Sequence, residues 1–190
     1  MSRAYRIRVS ETLERVIHVE DGVATQLELL PILPKERMQE ILAQELAAAG
    51  LSVEDGVAKR VTKTKEGEIT LAVDVATGEV SVRVTREQDV SLKTTRERVV
   101  AEERRAGVED SLRQEAQKVL EQEADRAAEE ARKAATARLE AELRDARGEL
   151  DRVVHRVTAQ ALKEKAATMG DIEEVSEDEE AGVLTIRVRV

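Results

Sequence analysis

The sequence predicts an α+β fold: a small antiparallel sheet with one packed helix, followed by a long charged α-helix and a C-terminal β-strand. Three observations predict it. Apolar and polar residues alternate over several short runs before residue 97. A span at 98–169 is rich in Ala, Glu and Arg and holds no proline, and residues 184–190 return to strict alternation. These shifts divide the chain into a head at residues 1–97, a helical arm at 98–170, and an acidic linker with a terminal strand at 171–190.

In the head, Tyr5, Ile7 and Val9 alternate with Arg6, Arg8 and Ser10. Ile69, Leu71, Val73 and Val75 alternate with Thr70, Ala72, Asp74 and Ala76, and Val80, Val82 and Val84 with Ser81, Arg83 and Thr85. A period of two is the mark of strands with one buried and one wet face, as antiparallel sheets have. Thr77-Gly78 separates two such runs and predicts a hairpin turn. The hexapeptide VEDGVA occurs at residues 19–24 and again at 53–58. Its flanks differ, so it is not a duplicated domain. Asp-Gly between valine-bearing segments predicts a tight reversal at both Asp21-Gly22 and Asp55-Gly56.

One helix is expected to cover the buried face of this sheet. Met38, Ile41, Leu42 and Leu46 fall on one stripe, Pro34 suits the first helical position, and Gly50 suits the C-terminal cap. Pro31 and Pro34 read as a stiff lead-in from strand to helix, in preference to a ligand for a proline-binding module. The apolar run Leu29, Leu30, Pro31, Ile32 and Leu33 is the candidate docking surface for a partner.

The arm holds 15 basic and 16 acidic residues between 98 and 169, so it is nearly neutral and charged all round. Opposite charges recur at i, i+4, as in Glu109 with Arg113, Glu129 with Lys133 and Glu140 with Arg144, and support a long helix. An apolar seam follows Leu112, Ala116, Leu120, Ala124, Ala127, Ala131, Ala135, Leu139, Leu143, Ala146, Leu150, Val153, Val157 and Ala161. Its mean step is about 3.8 residues, above the 3.5 of a left-handed zipper, so the seam is not a heptad repeat. Such a stripe calls for a packing partner.

Residues 171–180 carry seven acidic and no basic side chains and read as a solvated linker. Leu184, Ile186, Val188 and Val190 then alternate with Thr185, Arg187 and Arg189. A lone strand is marginal in water, and a straight helix of this length, roughly 110 Å, would carry it far from the head. The expected solution is a homo-oligomer in which the helix seams meet and each tail strand is donated between chains.

Composition narrows the function. A net charge of −9 and the lack of a Lys/Arg run argue against nucleic-acid binding. Tyr5 is the sole aromatic residue, so base-stacking platforms are missing too. With no cysteine, thiolate chemistry is excluded. No apolar run spans a bilayer and the N-terminus lacks a signal-peptide core, which predicts a soluble cytoplasmic protein. His18 and His155 have no ligand partner at metal spacing and read as surface residues. No phosphate loop, nucleophile elbow or zinc-protease motif occurs. The acidic run lacks the order of a calcium loop. The expectation is a protein that is not an enzyme and needs no cofactor.

The stretch RVIHVEDGVATQLELLPILPKERMQEILAQEL, within residues 3–60, resembles bacterial accessory proteins encoded with FtsH-like AAA+ ATPases and von Willebrand A-domain proteins in ternary systems. HVEDGV, LELLPILP and the following helix carry the resemblance. It implies an accessory or assembly component of an ATP-driven conflict or stress system, with an AAA+ ATPase or von Willebrand A-domain protein as partner. It brings no catalytic residues. Together these readings predict a self-associating structural or adaptor protein. A regulatory peptide- or ligand-binding module, with the helix as spacer, is the alternative.

Overall fold

The computed structural model describes residues 4–65, 67–101, 107–178 and 183–189. The chain forms β1 (Ala4–Gln26), α1 (Lys35–Ala48), β2 (Ser52–Glu54), β3 (Val57–Thr64), β4 (Gly67–Asp74), β5 (Glu79–Ala101), α2 (Val108–Ala167), β6 (Asp171–Asp178) and β7 (Val183–Arg189). The first five strands make one antiparallel sheet in the order β1-β5-β4-β3-β2, and β6 and β7 make a separate pair. The fold is therefore α+β with one long helix, as the alternation and the alanine-rich span predict.

By contact the chain divides into two compact units. Unit 1 is Met1–Asp21 with Thr85–Ala137, and unit 2 is Gly22–Val84 with Arg138–Val190. The strands β1 and β5 and the helix α2 each belong partly to both.

Unit 2 holds the larger core. Met38, Ile41, Leu42 and Leu46 of α1 are buried with Leu71 and Val73 of β4, Val80, Val82 and Val84 of β5, and Leu139, Leu150, Val153, Val157 and Ala161 of α2. The predicted stripe of α1 is thus the face that packs. Its C-terminus closes by geometry: Gly50 N–H donates to the Ala47 carbonyl and Leu51 N–H to that of Leu46, the paired bonds of a Schellman cap. The helix begins one residue later than expected. Pro34 is the N-cap, with ψ 148°, because its extended backbone brings the chain in from the preceding loop. Ion pairs that join α2 to its neighbours in this unit include Arg37 with Glu164, Arg60 with Glu149 and Arg156 with Glu45.

Unit 1 is thinner. Ile17, Val19 and Val90 are buried with Ala131 and Ala135 of α2, and Leu92, Ala127 and Ala128 pack partly against them. Leu112, Ala116, Leu120 and Ala124 are buried too. Alanine brings the helix close to the strands at little gain in buried area. Polar tethers supplement it: Arg15 reaches Asp125 at 3.5 Å, Arg113 reaches Glu11 at 3.2 Å, and Arg98 reaches Glu115 at 2.9 Å. Arg98 stands on β5, which continues through Ala101 into the span read as helix. Alternation there is masked by threonine and charge, because the residues facing the helix include arginine instead of valine.

The two copies of VEDGVA adopt different backbones. Asp55-Gly56 is the reversal between β2 and β3, with φ of 49° and 80°, the left-handed pair that a two-residue turn requires. Asp21-Gly22 is no turn, contrary to the sequence reading; it lies inside β1. Thr136 Oγ of α2 donates to Asp21 Oδ2 at 2.8 Å. A Cβ on Gly22 would stand 3.1 Å from the Val82 carbonyl oxygen. Here glycine serves a close strand approach, and the aspartate holds a helix instead of bending a chain. At the third predicted turn, between β4 and β5, Asp74 Oδ1 accepts the N–H groups of Ala76 and Thr77, and Gly78 has φ 76°.

Candidate functional site

The seam of α2 faces its own chain. Leu112, Ala116, Leu120, Ala124, Ala131, Ala135, Leu139, Ala146, Leu150, Val153, Val157 and Ala161 are buried, and Ala127 and Leu143 are half-buried. The stripe that called for a second helix has strands and α1 as its partners. A straight helix is expected to run far from the head, but β1 and β5 are 23 residues each, and seam residues in both units have strand neighbours.

The run at Leu29 to Leu33 is split by packing. Leu29, Ile32 and Leu33 rest against the unit 2 core, while Leu30 is 63% exposed and Pro31 is exposed. His18 sits on an outward strand position, 3.3 Å from Glu87, and His155 is exposed on α2. Among the described residues no group of three or more His, Asp or Glu side chains is placed to hold a metal ion. One hollow in unit 2, of about 50 Å³, is lined by Arg60, Thr62, Glu142, Asp145 and Glu149 among others. It has room for water and little else. The bidentate Arg60–Glu149 bridge in its wall holds the Glu149 carboxyl below the usual range through the guanidinium hydrogen bonds.

The C-terminal strands form the remaining candidate. The acidic run is not a linker over its described part; residues 171–178 are β6, paired antiparallel with β7. Ile172 and Val175 explain why that was missed. Three residues apart, they would fall on opposite faces of a regular strand. The register skips Glu173, a bulge that sets Ile172 opposite Val188 and Val175 opposite Ile186. Directly opposed residues share a face, so Ile172, Val175, Leu184, Ile186 and Val188 line one side of the hairpin, with Glu177 opposite Leu184 at its end. Val190, expected in this row, lies outside the described residues. The other side is ionic, with Arg187 3.0 Å from Glu174 and Arg189 paired to Glu173. A side chain at Gly170 would collide with the Arg189 carbonyl, so the step from α2 into β6 depends on glycine there.

None of these apolar hairpin side chains joins either core. Ile172 and Val175 are 38% and 42% exposed. Among the described residues β7 has β6 as its one strand neighbour, so its outer edge presents backbone N–H and C=O groups for pairing.

A family model, FtsH ternary system domain X5, matches residues 1–190. The chain belongs to this family. The match takes in the long helix and the hairpin as well as the opening segment that carries the resemblance to accessory proteins of FtsH-like ternary systems. No curated protein and no solved structure matches the chain. No helix among the described residues is long and apolar enough to cross a membrane.

Proposed function

We propose that the chain is a non-enzymatic adaptor of an FtsH ternary system that self-associates through its C-terminal hairpin. The observation that carries this reading is the hairpin itself. It lies outside both hydrophobic cores, exposes an apolar face, and among the described residues leaves the outer edges of both its strands without a strand partner. A two-stranded hairpin is marginal in water and gains independent stability from added strands. The seam of α2 is already buried within the chain, so association through it would require opening both cores. Family membership supports an FtsH-like AAA+ ATPase, or a von Willebrand A-domain protein of the same system, as the other partner. Leu30, with Pro31 beside it, is the exposed apolar feature we assign to that contact.

Sedimentation of the purified chain tests the self-association. An oligomer at micromolar concentration, reduced to a monomer of unchanged helix content by deleting residues 171–190, is the expected result. A wild-type monomer, or an oligomer indifferent to the deletion, refutes it. Copurification of the chain with the ATPase or von Willebrand component, weakened by Leu30→Asp, tests the partner.

A further inference from the structure

We infer that two copies of the chain join β7 to β7, antiparallel and centred on Ile186, into one four-stranded sheet β6-β7-β7-β6. This pairing rests on the self-association proposed above and specifies its edge and register.

The two edges of the hairpin are not equivalent. The β6 edge carries a bulge at Glu173 and the acidic residues Asp171, Glu173 and Glu174. Bulges and charge are the devices by which edge strands resist pairing, and two such edges would set like charges against each other. The β7 edge is seven residues long, without bulge or proline, and its side chains alternate between exposed and half-buried along its whole length. Joining β7 of one copy to β6 of the next would give an open, head-to-tail arrangement. Joining β7 to β7 closes on a two-fold axis, as most homo-oligomers do.

The register follows from the side chains. Apolar faces coincide only when the strands slip by an even number of residues, since a one-residue slip turns a strand over. Centred on Ile186, the pairing sets Leu184 opposite Val188, Thr185 opposite Arg187 and Val183 opposite Arg189. All seven residues of β7 are then paired and no charge faces its like. Moving the centre to Arg187 brings two guanidinium groups into direct opposition. Moving it to Thr185 takes Val188 and Arg189 beyond the end of the partner's β7 and leaves them unpaired. The central register also merges two apolar rows into one face, with Ile172, Val175, Leu184, Ile186 and Val188 from each copy. Arg187 and Arg189 keep Glu174 and Glu173 as partners within their own hairpins.

The chain has no cysteine, so single-cysteine variants report their own contacts alone. A short thiol-to-thiol cross-linker should couple Ile186→Cys to itself. It should fail with Leu184→Cys or Val188→Cys alone, whose copies lie about 14 Å apart along the strand, and succeed when these two are mixed. Val175→Cys on β6 should not couple to itself. Circular dichroism confirms that each variant keeps its helix. Coupling of Leu184→Cys or Val175→Cys as efficient as that of Ile186→Cys, in a chain that sediments as an oligomer, overturns the β7 pairing and leaves self-association standing. A chain that sediments as a monomer overturns both.

Discussion

Arg60 on β3 and Glu149 on α2 meet side by side, Nη1 to Oε1 at 2.7 Å and Nη2 to Oε2 at 2.6 Å. The paired geometry fixes the guanidinium plane against the carboxylate, a match that lysine cannot reproduce. Arg60→Lys is expected to recover only part of the stability lost in Arg60→Ala, whose cost is about 1–2 kcal/mol for a half-exposed charged pair. Urea unfolding of the two variants measures the gap; equal midpoints would show that charge alone suffices.

The neighbouring pair, Arg37 with Glu164, sets a pH dependence. Hydrogen bonds from Arg37, and then from Gln160, lower the Glu164 carboxyl from 4.5 to about 2. A depressed carboxyl contributes stability above its unfolded value and loses it as pH falls through the folded one. The difference in melting temperature between wild type and Arg37→Gln should therefore be full at neutral pH and shrink between 4.5 and about 2. A difference that stays constant across that window would assign the effect to packing of the arginine stem.

Leu46 is fully buried, and it also accepts, through its carbonyl, the bond that closes α1. Leu46→Ala leaves the backbone bond and empties the site, at a cost of about 3 kcal/mol. Ala124 in unit 1 tests the opposite error. It is fully buried on α2, so Ala124→Leu forces the helix away from its neighbours and costs about 1–3 kcal/mol. Guanidinium denaturation of both variants checks the two signs of misfit.

The repeated hexapeptide offers a comparison inside one molecule. Asp21 should couple to Thr136 by about 1 kcal/mol in a double-mutant cycle of Asp21→Ala with Thr136→Val. Asp55→Ala should show no coupling to Thr136. Gly56→Ala, at φ 80°, should destabilise by about 1 kcal/mol through backbone strain. A null cycle at Asp21 would mean that its hydrogen bond to Thr136 merely replaces one to water.

Where local chemistry decides the backbone, the residues announce the structure. The α1 stripe, Gly50 at its end, Asp55-Gly56 and the alternation of β4 and β5 are all of this kind. Asp21-Gly22 misleads because its backbone is chosen by distant partners, Val82 across the sheet and Thr136 on the helix. The seam of α2 was readable as apolar but not as to its partner, since Ala124 or Ala135 fits a strand as well as a second helix. In the candidate site, β7 was plain from Leu184, Ile186 and Val188. Its partner β6 was hidden, because one skipped residue at Glu173 scrambles the pattern that would have revealed it.

The division of the chain into units has a consequence for how this protein can be altered or inherited. Neither unit is a continuous stretch of sequence: residues 22–84 interrupt the first, and residues 85–137 interrupt the second. No single cut releases one of them whole, and a contiguous segment that contains one unit entire also carries part of the other. An autonomous module must instead be made by circular permutation or by joining two distant segments with a new linker. Variation in such a chain is therefore expected to accumulate by point substitution within matched segments, with exchange of modules confined to the hairpin at its end.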